Sequence, residues 1–171
     1  FRFNFYFGFI LSFLGLFGIN SSKSESQFFK IENILKFSKV SEIKLKPLRK
    51  IEYDSNFSEF NKLIKNKKDA SDKYFFVTNN GRWTGFVDEN ILKTVSLKKW
   101  EKNFIGDFKK PIDSFESVSY NDKLWRTIER LEETNEGFLL VLNAADIPLG
   151  IIDRSKIGNF VLNKLGFNLP S

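Results

Sequence analysis

VTNNGRWTGFVDENILKTV, residues 77–95, and VLNAADIPLGIIDRSKIGNFV, residues 141–161, are two versions of one phrase. Gly85 and Gly150 correspond. Each is followed three residues later by an acid, Asp88 and Asp153, and four further on by an apolar residue, Leu92 and Ile157. All three pairs are 65 positions apart. Upstream, Phe57, Phe60 and Ile64 make one stripe at helical spacing, and Leu124, Ile128 and Leu131 make another. The outer members of the two stripes are 67 apart, with loop lengths absorbing the difference from 65. Self-similarity at a fixed period marks a duplicated supersecondary unit.

Each copy reads as a short strand, an amphipathic helix, a strand, a tight turn, a strand and a closing helix. The first strands fall near 50–53 and 117–119. Residues 74–78 and 138–142 are apolar runs of strand length. Asn80-Gly81 predicts a hairpin, because both central positions of that turn favour positive φ. Helices inserted between strands imply an α/β (α+β) class with a small mixed sheet covered on one face. Two such units expose the same apolar surface, so they are expected to pack about a pseudo-twofold axis.

The first twenty residues differ in kind. Residues 5–19, FYFGFILSFLGLFGI, carry no charge. Fifteen helical residues reach about 22 Å, short of a hydrocarbon core of about 30 Å, so residues 1–20 read as the C-terminal part of a transmembrane helix. A secretory signal fits less well, having neither a basic stretch ahead nor a small-x-small cleavage site. Lys23, Lys30, Lys36 and Lys39 follow the apolar run against Arg2 before it, which places the later residues in the cytoplasm. Ser22 and Glu25 suggest a capping box opening a helix with Phe28, Ile31 and Leu35 on one face. That helix reads equally as a membrane-to-domain connector or as an ordinary packing helix. The expected organisation is 1–20 membrane helix, 21–39 linker helix, 40–102 first module and 103–171 second module.

Composition narrows the chemistry. The 171 residues contain no Cys, His or Met. This removes disulfides, thiolate nucleophiles, the usual zinc ligands and the usual general base. A chain without Met also reads as the tail of a longer protein. The net charge of +6 comes mainly from Lys. Its runs near 65–68 and 98–102 lie beside acids or loops, so they read as solvated faces and no nucleic-acid partner is expected. Glu132 and Glu133 are adjacent on a helix and point apart. Trp83, Trp100 and Trp125 are expected to pack where the modules meet.

The phrases FFVTNNGRWTGFVDENIL and LLVLNAADIPLGIIDRSKI resemble the CBS module, and their tandem occurrence resembles a CBS pair over nearly all residues after 40. That resemblance implies a disc-like pair, able to dimerise with another. In CBS pairs that bind adenosine nucleotides, a hydroxyl residue three after the Gly contacts phosphate and an Asp six after it accepts from the ribose. Here the matching positions hold Asp88 and Asp153, then Ile91 and Lys156. A carboxylate repels phosphate, and neither Ile nor Lys accepts from a sugar hydroxyl. The altered sites, built on Gly85, Asp88, Gly150 and Asp153, are therefore expected to take no adenine nucleotide. Two roles stay open for Asp88 and Asp153: capping the segments that follow them, or jointly holding Mg²⁺, a hard ion that prefers carboxylates.

The order of apolar segment, basic linker and duplication, with GRWTGFVDENILKTVSLKKW, KLWRTIERLE and GNFVLNKLGFNLP, resembles the C-terminal region of a bacterial site-2-type membrane zinc metalloprotease. In that family zinc is held by a His-Glu-x-x-His helix and a distant Asp, which a chain without His cannot supply. The resemblance thus implies a non-catalytic regulatory tail of an integral membrane hydrolase, with zinc in its own upstream membrane domain. The same architecture also occurs as the tail of channels and ion transporters, and a membrane-anchored interaction module is a further alternative.

Overall fold

The computed structural model describes residues 24–65 and 70–167, and ahead of them only Gly8, Ser12 and Gly15. Most of the expected membrane segment, together with Ser22 of the expected capping box, lies outside the described residues. Among the described residues no helix is long and apolar enough to cross a membrane.

Two three-stranded sheets form, one per copy. In the first, β1 (Lys50–Glu52) runs parallel to β2 (Tyr74–Asn79), which pairs antiparallel with β3 (Arg82–Asp88). In the second, β4 (Ser117–Ser119), β5 (Phe138–Leu142) and β6 (Pro148–Asp153) repeat that order and those directions. Even the register shift recurs, between Val77 and Thr78 and between Val141 and Leu142. The β2–β3 turn has Asn80 at φ 50° and Gly81 at φ 76°, the positive pair that Asn-Gly supplies at low cost. The β5–β6 turn is longer. Asn143 Oδ1 accepts from the backbone N–H of Ala145 and Ile147 at 2.8 and 2.9 Å, and Asp146 takes φ 55°.

The parallel β1–β2 and β4–β5 crossovers carry α2 (Phe57–Ile64) and α3 (Leu124–Glu133). Asn56 caps α2 in a capping box, its Oδ1 accepting from Glu59 N at 2.9 Å while Asn56 N donates to Glu59 Oε2 at 3.1 Å. Phe57 and Phe60 on α2, and Leu124, Ile128 and Leu131 on α3, are fully buried. The expected stripes are therefore the core-facing sides.

Strand alternation divides the apolar residues between two layers. Phe75, Val77 and Val87 pack with α2 in the first core, and their counterparts Leu139, Val141 and Ile152 pack with α3 in the second. The intervening residues Tyr74, Phe76 and Phe86, with Phe138, Leu140 and Ile151, form a third cluster between the sheets. Each sheet is thus covered on both faces, not one: helices take one side and the other copy's sheet takes the second. The expected pairing face is this shared layer.

The closing segments differ. After β6, α4 (Arg154–Lys164) is a regular helix that buries Ile157, Val161 and Leu162. After β3 the expected closing helix is instead two short 3₁₀ turns, Glu89–Lys93 and Leu97–Lys99. The reason is local. Thr94 Oγ1 donates to Ile91 O at 2.7 Å and Thr94 N to the same carbonyl at 3.0 Å, and the β-branched, hydroxylic run Thr94-Val95-Ser96 disfavours further helix.

α1 (Ser24–Phe37) packs against α3 and α4, burying Ile31 and Leu35 completely in the second core. Val40 and Ile43 join the same core, although they lie ahead of β1 in the chain.

Candidate functional site

The motif glycines mark where the copies clasp each other. Lys46 and Ile151 exchange backbone hydrogen bonds, 2.9 Å each way, and Lys110 and Phe86 do so at 2.8 and 2.9 Å. The segment ahead of each copy's first strand therefore pairs with the third strand of the other. These crossing strands pass directly over Gly85 and Gly150. A Cβ at Gly85 would lie 2.4 Å from Lys110 O, and one at Gly150 would lie 2.8 Å from Lys46 O. Glycine is needed for close backbone approach, not for positive φ.

The sequence carried a sign of this crossing in Lys46-Pro47 and Lys110-Pro111, which are 64 residues apart.

The acids after the glycines are end caps. Asp88 Oδ1 accepts from Asn90 N at 2.8 Å and its Oδ2 takes Lys110 Nζ at 3.1 Å. Asp153 Oδ1 accepts from Lys156 N at 2.8 Å and from Ser155 Oγ at 2.7 Å. The two carboxylates share no partner, and among the described residues no group of three potential metal ligands exists. Ile91 packs against the first core, while Lys156 contributes its backbone N–H to the cap of α4.

Beside Asp88 opens a cleft of about 460 Å³ between the copies. Tyr74, Phe86 and Phe115 line it, together with Lys110, Glu116, Glu133 and Glu136. Glu136 reaches across to the first copy, where Lys73 Nζ lies 2.8 Å from Oε2. Burial pushes the Glu136 carboxyl up, but hydrogen bonds from Lys73 and Tyr74 outweigh it and hold the group below its usual value. Hydrogen bonding to Glu136 raises Lys73 in turn. Burial, reinforced by the Glu136 carboxylate, pushes the Tyr74 phenol up to about 12.

Sequence reasoning brought out Gly85 and Asp88 but not this cleft. Its walls come from the end of α3, the loop after it and the segment 110–116, none of which lies in the repeated phrases 77–95 and 141–161.

The tryptophans separate. Trp83 borders the shared layer, edge-on to Phe76 at 6.3 Å. Trp100 instead packs in the first core, its Nε1 donating to Val95 O at 2.9 Å, and Trp125 stacks beside Arg126 on α3. Only one of the three therefore takes the expected place. Glu132 and Glu133 do diverge, the former pairing with Arg154 at 2.9 Å and the latter lining the cleft.

Two parallel-antiparallel sheets, related by a shared face and by reciprocally crossing backbones, match solved structures over most of the chain. The CBS domain of a bacterial CNNM/CorC family Mg²⁺ transporter aligns with a TM-score of 0.58 at 13% identity, covering 95% of this chain and 94% of that one. The fold is a tandem CBS pair. A second structure of that transporter domain, in complex with ATP, aligns at 0.58 and 14% identity over 82% of this chain and 97% of that one. CBSX2 from Arabidopsis thaliana, in complex with AMP, aligns at 0.53 and 21% identity over 74% of this chain and 98% of its own. No family profile and no curated relative matches the sequence. Structures of this shape hold ATP and AMP in those proteins, which counts against the expectation of no nucleotide; what remains in its favour is the residues at positions 88, 91, 153 and 156 of this chain.

Proposed function

We propose that this CBS pair is the regulatory, non-catalytic region of an integral membrane protein, in the first reading a site-2-type zinc metalloprotease. The observation that carries the regulatory part is the reciprocal clasp. A group entering between the copies strains two backbone crossings at once, and a shift of one copy is transmitted to the other. The observation that supports coupling to a membrane domain is α1, which follows the apolar segment 5–19 and buries Ile31 and Leu35 in the second core.

The chain would contribute neither zinc nor a catalytic base. It has no His or Cys, and its described acids form no three-ligand group. Zinc belongs, in this reading, to an upstream membrane domain.

A second reading, the cytoplasmic tail of a channel or ion transporter, is favoured by the transporter CBS domain that aligns over 95% of this chain. The coding sequence upstream of residue 1 separates the two. A His-Glu-x-x-His helix with a distant Asp supports the protease, pore or ion-coordinating spans support the transporter, and neither leaves an anchored interaction module.

For ligands, we propose that adenine nucleotides are not the signal. Asp88 and Asp153 place carboxylates where phosphate would lie, and both are already engaged as caps. AMP, ADP and ATP should leave the melting temperature unchanged; a concentration-dependent rise would overturn this. The capping role is likewise preferred to a shared Mg²⁺. Wild type and the Asp88→Asn, Asp153→Asn variant should respond alike to Mg²⁺, whereas a stabilisation confined to wild type would establish the metal.

A further inference from the structure

The duplication supplies an internal reference for the cleft. Ser71 and Asp72 in the first copy correspond to Asn135 and Glu136 in the second, and Lys46 corresponds to Lys110. At the first position the chain seats its own ammonium group: Lys46 Nζ lies 2.8 Å from Asp72 Oδ1 and 2.8 Å from Ser71 Oγ. This pair is largely enclosed, with side-chain exposures of 20% and 8%. At the second position the corresponding lysine turns away, and Lys110 Nζ sits on Asp88 Oδ2 at 3.1 Å with its side chain 60% exposed. There Asn135 and Glu136 line the open cleft of about 460 Å³.

The charges around that cleft do not balance. Lys110 is matched by Asp88, and Glu136 by Lys73. Glu116 and Glu133, which line the cleft with Tyr74, Phe86 and Phe115, have no ion-pair partner among the described residues. Aromatic side chains beside carboxylates suit a cation with an apolar body. The carboxylates pair with the positive charge, aromatic rings favour it, and the apolar part of the lining meets the body. The same arrangement opposes an anion.

We infer that this cleft binds an organic ammonium compound with an aromatic or apolar body, one per chain, in the place where the other copy seats its own lysine. The inference deepens the regulatory reading by naming the chemical class of its signal. Binding itself can be read on this chain whatever lies upstream.

The test is calorimetric titration of the full chain with tryptamine and, in parallel, with indole-3-acetate, which carries a similar ring with opposite charge. Tryptamine should bind at one per chain and at least tenfold more tightly than indole-3-acetate. The Glu116→Gln, Glu133→Gln variant should lose that preference, and Glu133→Gln alone should reduce it several-fold. Both side chains are exposed, so the ligand-free melting temperature should stay constant in each variant. Absence of tryptamine binding, equal affinity for the anion, or a preference that survives the double substitution would overturn the inference while leaving the regulatory reading in place. Conversely, an upstream sequence without any membrane domain would remove that reading and leave the binding result standing.

Discussion

Tyr74 and Phe138 occupy equivalent strand positions, 64 residues apart, and lie against each other with ring centroids 5.7 Å apart and planes at 61°. A residue that touches its own counterpart lies close to the axis relating the two copies. Phe115 completes the contact, 5.0 Å from Tyr74 and 5.8 Å from Phe138. The aromatic layer is therefore common property of both copies. Phe138→Ala should cost about 3–5 kcal/mol, the range for a buried Phe whose cavity cannot collapse. Denaturant unfolding should remain a single transition at lower midpoint, because neither copy keeps its covered face without the other.

Crossing backbones set a second, directional expectation. Gly85→Ala forces a methyl to within 2.4 Å of a carbonyl oxygen and Gly150→Ala to within 2.8 Å, and in each case the obstacle includes backbone. Both should destabilise by about 1–3 kcal/mol or more, Gly85→Ala the more strongly. Equilibrium unfolding in urea reads the order directly. Equal effects, or none, would mean that the crossing strands are not held where they are described.

Lys46 and Asp72 allow a double-mutant cycle. Removing one partner of a largely enclosed pair leaves the other charge under-compensated, so Lys46→Met and Asp72→Asn should each cost about 2 kcal/mol. The double variant should cost less than their sum by about 1 kcal/mol or more. Strict additivity in chemical denaturation would show that the two groups do not interact.

The phenol of Tyr74 links stability to alkaline pH. Its folded value, about 12, lies above the ordinary value of 10.0, so the folded state holds the proton more tightly. Stability is then fully present below pH 10 and falls as pH rises from 10 toward 12, by about 3 kcal/mol at most. Lys73, also raised, adds to the loss in the same direction. Tyr74→Phe should flatten the alkaline limb of melting temperature against pH. An unchanged slope would place the proton linkage elsewhere.

How far the sequence reached follows from which contacts are local. The Asn80-Gly81 hairpin, the stripes on α2 and α3, the caps at Asp88 and Asp153 and the duplication are written in neighbouring residues. The reciprocal clasp is not, since Lys46 meets Ile151 and Lys110 meets Phe86 across the copies. Only the repeated Lys-Pro pair hinted at it. The closing helix of the first copy failed for a reason the sequence did contain, the Thr94-Val95-Ser96 run, which repeat symmetry had outweighed. The cleft was the least legible part. Glu116, Glu133 and Glu136 lie outside the repeated phrases, and nothing in their spacing says that the fold gathers them with Tyr74 and Phe115.

The two copies form one cooperative unit through exchanged backbones and a shared aromatic layer. Native-state hydrogen exchange tests it most directly, by comparing the amides of Phe76 and Phe86 in the first sheet with those of Leu140 and Ile151 in the second. All four should exchange through one global opening, with a common free energy and a common denaturant slope, and Gly85→Ala should lower all four together. A first sheet that opens at distinctly lower free energy, or a Gly85→Ala effect confined to that sheet, would contradict the claim.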